Sequence, residues 1–365
     1  MTNGEALPHV THRLLTIAQG HRPARAELQT LARALEDDAL STSLLPWPES
    51  PSAESLVEER CRVMQRAWPA FSAWWRQYFP GATVETIPID TLWRFYIPFS
   101  QWLVEQKARA RPQSVYVAGI YGSQGRGKTV MSLAISLVLN TLLDPDVHGQ
   151  AVSRSIDDYY LTRAARERLR SLGYDAGPGV SNRGPAGTHD TQWLLRNIRE
   201  FSASTPRSSL ALGSFQKHRD DQAPEPLVVR GKVGIFVLDG WFVGANTRFD
   251  LTRIPPGLKR LVAGHLQGDY REVFDRLDAL WAFDTPGLDD IIHDRERQEQ
   301  LLEGRAGRRG MSPEQVRAFV RYFYESAWAP GITSPVPHDR DITVLGRTFP
   351  DHRIRAIERK GRRIA

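Results

Sequence analysis

The chain has 365 residues, 41% hydrophobic and 25% charged, which is enough apolar material for a large core without a metal or disulfide staple. A formal net charge of +6 over that length is too dilute to point to nucleic acid or acidic lipid as a partner, and no run approaches the roughly 18 consecutive apolar residues of a membrane span. Cys61 is the only cysteine, so an intrachain disulfide and zinc-finger spacing are excluded, and a reducing, cytoplasmic setting fits.

In chain order, the opening MTNGEALPHV has neither a basic start nor an apolar stretch, and no signal peptide is expected. Residues 1–110 read as a helical N-terminal extension. Helical spacing shows in Leu28, Leu31 and Leu35, and again in Val63, Trp68, Phe71 and Trp75. The Pro/Ser-rich stretch Leu45–Ser52 reads as a loop between them. LWRFYIPFSQWLV, Leu92–Val104, predicts a helix packed on a main sheet. From Ser114 the pattern changes: SVYVAGIYG is an apolar run ending in glycine, and VMSLAISLVLN follows with helical periodicity. Further strands are expected at Ala151–Ile156, Ser209–Leu212, Val233–Leu238 and Leu277–Phe283, with a last one at Asp341–Leu345. This alternation predicts an α/β fold, a mostly parallel sheet covered by helices on both faces. Gly173–Gly187 reads as a long loop with a functional role. The basic tail from His352 to Arg363 reads as a solvated terminal helix.

Gly122-Ser123-Gln124-Gly125-Arg126-Gly127-Lys128-Thr129 satisfies G-x-x-x-x-G-K-[ST], with a predicted strand before it and a predicted helix after it. In that context glycines let successive amides cradle phosphate oxygens, and the helix directs its positive end at the same anion. Lys128 then supplies a charge to the β- and γ-phosphates, and the Thr129 hydroxyl is the expected contact to Mg²⁺. A second acid is expected near the metal, at the end of a neighbouring strand. Asp239, closing the apolar run VGIFVL, is placed there. Asp157, at the end of the Ala151–Ile156 strand, would share the same crevice, as general base or as the group that orients an attacking hydroxyl. Asp158 is the alternative, because spacing does not rank the two.

These elements in this order resemble the P-loop kinase branch that includes uridine kinase, phosphoribulokinase and bacterial pantothenate kinase, and within it D-glycerate 3-kinase. LWRFYIPFSQWL, GSQGRGKT, SIDDYYLT, RGPAGTHD, LDGWFVGA, DRERQEQLL and GRRGMSPEQVRAFV carry the resemblance, from about Leu92 to about Val320. It implies a P-loop kinase domain over 111–365, with an Arg-rich lid at about 290–312, using ATP and Mg²⁺ to phosphorylate a hydroxyl of D-glycerate or a related hydroxy acid. Asp157 falls on the catalytic aspartate. Arg183, His189 and Asp190 fall in the acceptor loop, joined by Asp158, Tyr160 and Lys217 as acceptor-binding candidates. Arg295 falls on a lid arginine with a catalytic role, and Arg305, Arg308 and Arg309 lie beside it as nucleotide contacts. Pro185 stands where the family usually has asparagine. Gln216 and His218 flank Lys217 where the family usually has an acid and a serine. These departures leave room for another acceptor, such as a sugar, nucleoside, pantothenate-like molecule or biosynthetic intermediate. An Asn-Lys-x-Asp motif, expected of a GTPase switch, is missing, as is the concentrated basic, aromatic-studded face of a nucleic-acid-dependent ATPase. The expected partner is therefore a small hydroxylated molecule, with no nucleic acid and no membrane; the oligomeric state is left open.

Overall fold

The computed structural model describes residues 8–38, 40, 53–174, 182–285, 287–306, 311–348 and 354–360. Its strands are β1 (Tyr116–Tyr121), β2 (Gln150–Ser155), β3 (Ser209–Leu212), β4 (Phe215–Gln216), β5 (Asp221–Gln222), β6 (Leu227–Arg230), β7 (Val233–Gly240), β8 (Ala279–Phe283), β9 (Val344–Thr348) and β10 (Ile354–Arg359). Six of them form one sheet in the order β10-β9-β8-β1-β7-β2, parallel except for β10. This is the expected α/β architecture.

Both faces of the sheet are covered, and the pleat sorts its residues between two cores. Tyr116, Ala118, Ile120, Ile235, Val237 and Trp281 face a cluster shared with the N-terminal helices and the helix Lys128–Leu142. Val117, Tyr121, Phe236, Leu238, Leu280 and Ala282 face the second cluster, with the helices Thr191–Ser202 and Leu258–Gln267. The N-terminal helices Pro8–Ala18, Arg25–Glu36 and Ala53–Tyr78 thus contribute Leu14, Leu31, Met64 and Phe71 to the core against the sheet. The Leu92–Val104 expectation holds, with one addition. A π-turn at Leu92–Tyr96 feeds the helix Ile97–Ala110, and Phe95 and Phe99 pack on Trp281 of β8 with ring centroids 5.1 and 5.0 Å apart.

Three sequence readings are corrected. Ser209–Leu212 is a strand but does not join the main sheet; it pairs antiparallel with β6. Its side chains are mostly exposed, so it lacks the two-sided apolar cover that a central parallel strand needs. The last parallel strand starts at Val344 rather than Asp341, because Asp339–Asp341 form a 3₁₀ turn capped by His338. The tail is not a helix over its described part. Ile354–Arg359 is an antiparallel edge strand on β9, with Arg347 bonded to Glu358 at 2.7 Å. Its charged residues suit an edge, where they discourage further strand pairing. The Leu45–Ser52 stretch lies outside the described residues, as do 175–181 of the Gly173–Gly187 loop. No helix among the described residues is long and apolar enough to cross a membrane.

Candidate active site

The order β1-β7-β2 sets three carboxyl ends side by side. Ile120 lies opposite Asp239, and Asp239 lies opposite Ser155, so the phosphate loop, Asp239 and Asp157 follow from one row of the sheet. A cavity opens above that row, lined among others by Gln124, Gly125, Lys128, Thr129, Asp157, Tyr160, Arg183, Lys217, Asp239 and Arg295.

Gly122–Thr129 runs from β1 into the helix Lys128–Leu142. Gly125 holds φ +81 and touches the backbone of Asp294, where a Cβ would sit 2.8 Å from three atoms; only glycine fits that close approach. Lys128 donates to the Ser123 carbonyl at 2.9 Å. Loss of water lowers its ammonium to about 8, against the pull of Asp239 and Asp157. Such a charge is short of anionic partners, and a phosphate supplies them.

Asp239 is 1% exposed and bonded by Ser132 Oγ at 2.8 Å and Thr129 Oγ1 at 3.4 Å. Burial pushes its carboxyl up to about 6, although Lys128 opposes the rise. Ser132 was missed from sequence. It stands three residues after Thr129, on the same helix face, which is the signal that would have found it. Among the described residues no group of three or more His, Cys, Asp or Glu is placed to hold a metal alone. One hydroxyl with one buried carboxylate fits a Mg²⁺ ion whose remaining ligands are phosphate oxygens and water.

The two candidate bases part company at the turn Ile156–Tyr159. Asp158 folds back, pairing with Arg154 at 3.0 Å and accepting from the Ser155 amide at 2.9 Å, and burial raises its carboxyl. Asp157 faces the cavity and pairs with Lys217 Nζ at 2.9 Å. Burial opposes its ionisation, but Lys217 leads a set of cations and hydrogen bonds that hold it well below the usual carboxylate range.

Of the acceptor-loop candidates, Arg183 and Tyr160 line the cavity, as does Lys217 from the β4–β5 turn. Arg183 bonds Asp220 at 2.8 Å and lies over the Phe215 ring. His189 sits behind this wall, 4% exposed and stacked on Tyr160 at 4.3 Å. The Gly187 amide donates to Tyr270 Oη at 3.0 Å, and the same hydroxyl is hydrogen-bonded to His189 Nδ1, 2.6 Å away. Burial lowers the imidazole to about 4 and keeps it neutral. Asp190 is not at the cavity; it caps the helix Thr191–Ser202 by accepting from the Trp193 amide at 2.8 Å.

Arg126 also turns away from the cavity. Its guanidinium meets Asp294 at 3.4 Å, on the helix Leu288–Ala306 that carries Arg295. Arg295 lines the cavity, bonded to Gln298 at 2.8 Å and to Glu299. Ser123 contributes its carbonyl to Lys128 rather than lining the cavity. Arg305 falls on the same helix as Arg295, while Arg308 and Arg309 lie outside the described residues. Trp241, Phe319 and Phe323 complete one wall and were not read from sequence. Phe323 presses so close to Gly184 that a Cβ there would sit 1.5 Å from its ring.

No protein-family model matches the chain. It is 28% identical to "Probable ATP-dependent kinase TDA10" of Saccharomyces cerevisiae over 225 residues, 56% of this chain and 74% of that protein. It is 25% identical to "Uncharacterized kinase mug58" of Schizosaccharomyces pombe over 249 residues, 60% of this chain and 81% of the other. Among solved structures it is similar to the YGR205w protein, with TM-score 0.53 and 21% identity over 73% of this chain and 98% of that one. It is similar in fold to D-glycerate 3-kinase from Cryptococcus neoformans var. grubii, with TM-score 0.51 and 20% identity over 71% and 97%. The chain therefore has the P-loop kinase fold and is related to P-loop ATP-dependent kinases.

Proposed function

We propose that this chain transfers the γ-phosphoryl group of ATP to a hydroxyl of a small hydroxy acid, with D-glycerate the first candidate. The observation that carries this reading is the single cavity in which Lys128, Thr129 and Asp239 face Asp157, Lys217 and Arg183. The fold shared with a D-glycerate 3-kinase supports it.

In this reading the amides of Gly122–Thr129 take the β- and γ-phosphates, and Lys128 leaves the Ser123 carbonyl for them. Thr129 and Asp239 would hold Mg²⁺, which neutralises charge on the phosphate oxygens. Arg183 and Lys217 hold the acceptor's carboxylate by charge-assisted hydrogen bonds. Asp157 orients the hydroxyl and takes its proton as oxygen attacks phosphorus in line. Arg295 sits beside the cavity to meet charge on the transferred group. A cytoplasmic setting accords with the lone buried thiol, Cys61.

A second reading keeps the kinase chemistry and changes the acceptor. Gln216 and exposed His218 beside Lys217, with Pro185 in the acceptor loop, favour it. The test of both is ATP consumption with Mg²⁺, with and without D-glycerate, alongside Asp157→Asn. Phosphorylated glycerate that is lost in the variant supports the first reading. ATP binding without glycerate-dependent turnover rejects it in favour of the second.

A further inference from the structure

The ion pair that closes the base also suggests what opens it. Asp157 Oδ2 is held by Lys217 Nζ at 2.9 Å. The two partners differ in setting: the Lys217 side chain is 63% exposed and that of Asp157 only 24%. Lys217 projects from the turn joining β4 and β5, and that turn is pinned at its other end. Asp220, with φ +53, is gripped by Arg183 at 2.8 Å and by the buried Arg166. The turn is therefore fixed, while the lysine has a long stem on which its ammonium can swing.

We propose that Lys217 is an acceptor-operated cover on Asp157: an anionic group on the acceptor draws the ammonium to itself and so frees the carboxylate for the acceptor's hydroxyl. The inference rests on the phosphotransfer reading above and names the charge of its substrate. The exchange leaves Lys217 paired throughout, while the uncovered Asp157 carboxylate takes the acceptor's hydroxyl as its new hydrogen-bond donor. Once uncovered, Asp157 takes the hydroxyl proton while the acceptor O–P bond forms and the bond from γ-phosphorus to the bridging oxygen breaks, with ADP as leaving group. A neutral polyol, or water, brings no anion to Lys217 and leaves the pair closed. Idle hydrolysis of ATP is thereby suppressed. The electrostatics agree: Lys217 leads the charges that hold Asp157 below the usual range against its burial.

The experiment compares the full chain with Lys217→Met, using ATP and Mg²⁺ with D-glycerate, with its neutral methyl ester, and without acceptor. The wild type should prefer D-glycerate. The variant should lose kcat/KM for D-glycerate about tenfold or more, yet gain about tenfold with the ester and in acceptor-free hydrolysis. A variant that only loses D-glycerate turnover, with ester and hydrolysis rates unchanged, overturns the proposal and makes Lys217 a simple binding residue. If the wild type phosphorylates neither compound, the hydroxy-acid reading itself falls, and the inference with it. Lys217 itself is exposed but pairs with the largely buried Asp157, so the thermal unfolding temperature of the variant should fall modestly, and the rates are compared well below that transition.

Discussion

The contact between Arg126 and Asp294 joins the phosphate loop to the helix bearing Arg295, and its removal has a calculable cost. The side chains are 9% and 8% exposed and 3.4 Å apart. At an effective dielectric constant of about 20, two unit charges at that separation attract by about 5 kcal/mol. Desolvation offsets much of this in forming the pair, but not in breaking it, because a single substitution leaves one charge buried. Asp294→Leu and Arg126→Met should therefore each destabilise the protein by about 3–5 kcal/mol. The double variant, with two apolar chains of similar volume in contact, should return to within about 1 kcal/mol of wild type. Denaturant unfolding of the four proteins closes a double-mutant cycle, whose coupling should amount to about 5 kcal/mol or more. Simple additivity of the two single effects would refute the reasoning and show that helix and loop are held together by other contacts, such as the Gly125 backbone approach.

Three other outcomes follow from the site. Asp157→Asn should lower phosphorylated product by about 10²–10⁴-fold, while nucleotide binding, followed by calorimetry, changes little. Neutral burial of His189 makes stability depend on pH: its pKa is 6.5 when exposed and about 4 in the fold, so the unfolded chain binds the extra proton. That contribution is complete above about 6.5 and is lost as pH falls toward about 4, about 3 kcal/mol in all; unfolding of His189→Gln against pH should show a flatter slope over that window. Gly184→Ala forces Phe323 from its seat, and thermal unfolding should register a loss of about 1–3 kcal/mol together with weaker acceptor use.

Local features were legible in the chain itself. GSQGRGKT is contiguous, and its loop chemistry depends on neighbours in sequence, so both its position and its strand–loop–helix setting could be read directly. Asp239 was legible because an apolar run must end somewhere, and the first carboxylate after it marks the carboxyl edge of the sheet. The alternation of strand and helix likewise implied a parallel sheet with two covered faces. By contrast, Asp157 and Asp158 are adjacent and chemically alike. Only the direction of one 3₁₀ turn sends the first to the cavity and commits the second to Arg154 and a backbone amide.

The remaining features depend on partners distant in the chain. Arg126 and Asp190 carry the right chemistry for a ligand, yet Asp294 and the Trp193 amide engage them instead. The tail became an edge strand because β9 presented unpaired backbone groups to it. The residues thus determined the phosphate loop, the strand-end acids and the class of fold, since each arises from local pattern. The tertiary structure alone decided which acid faces the cavity and which lysine, 60 positions away, covers it. Charge acts through space, and only the folded chain brings those two groups within hydrogen-bond distance.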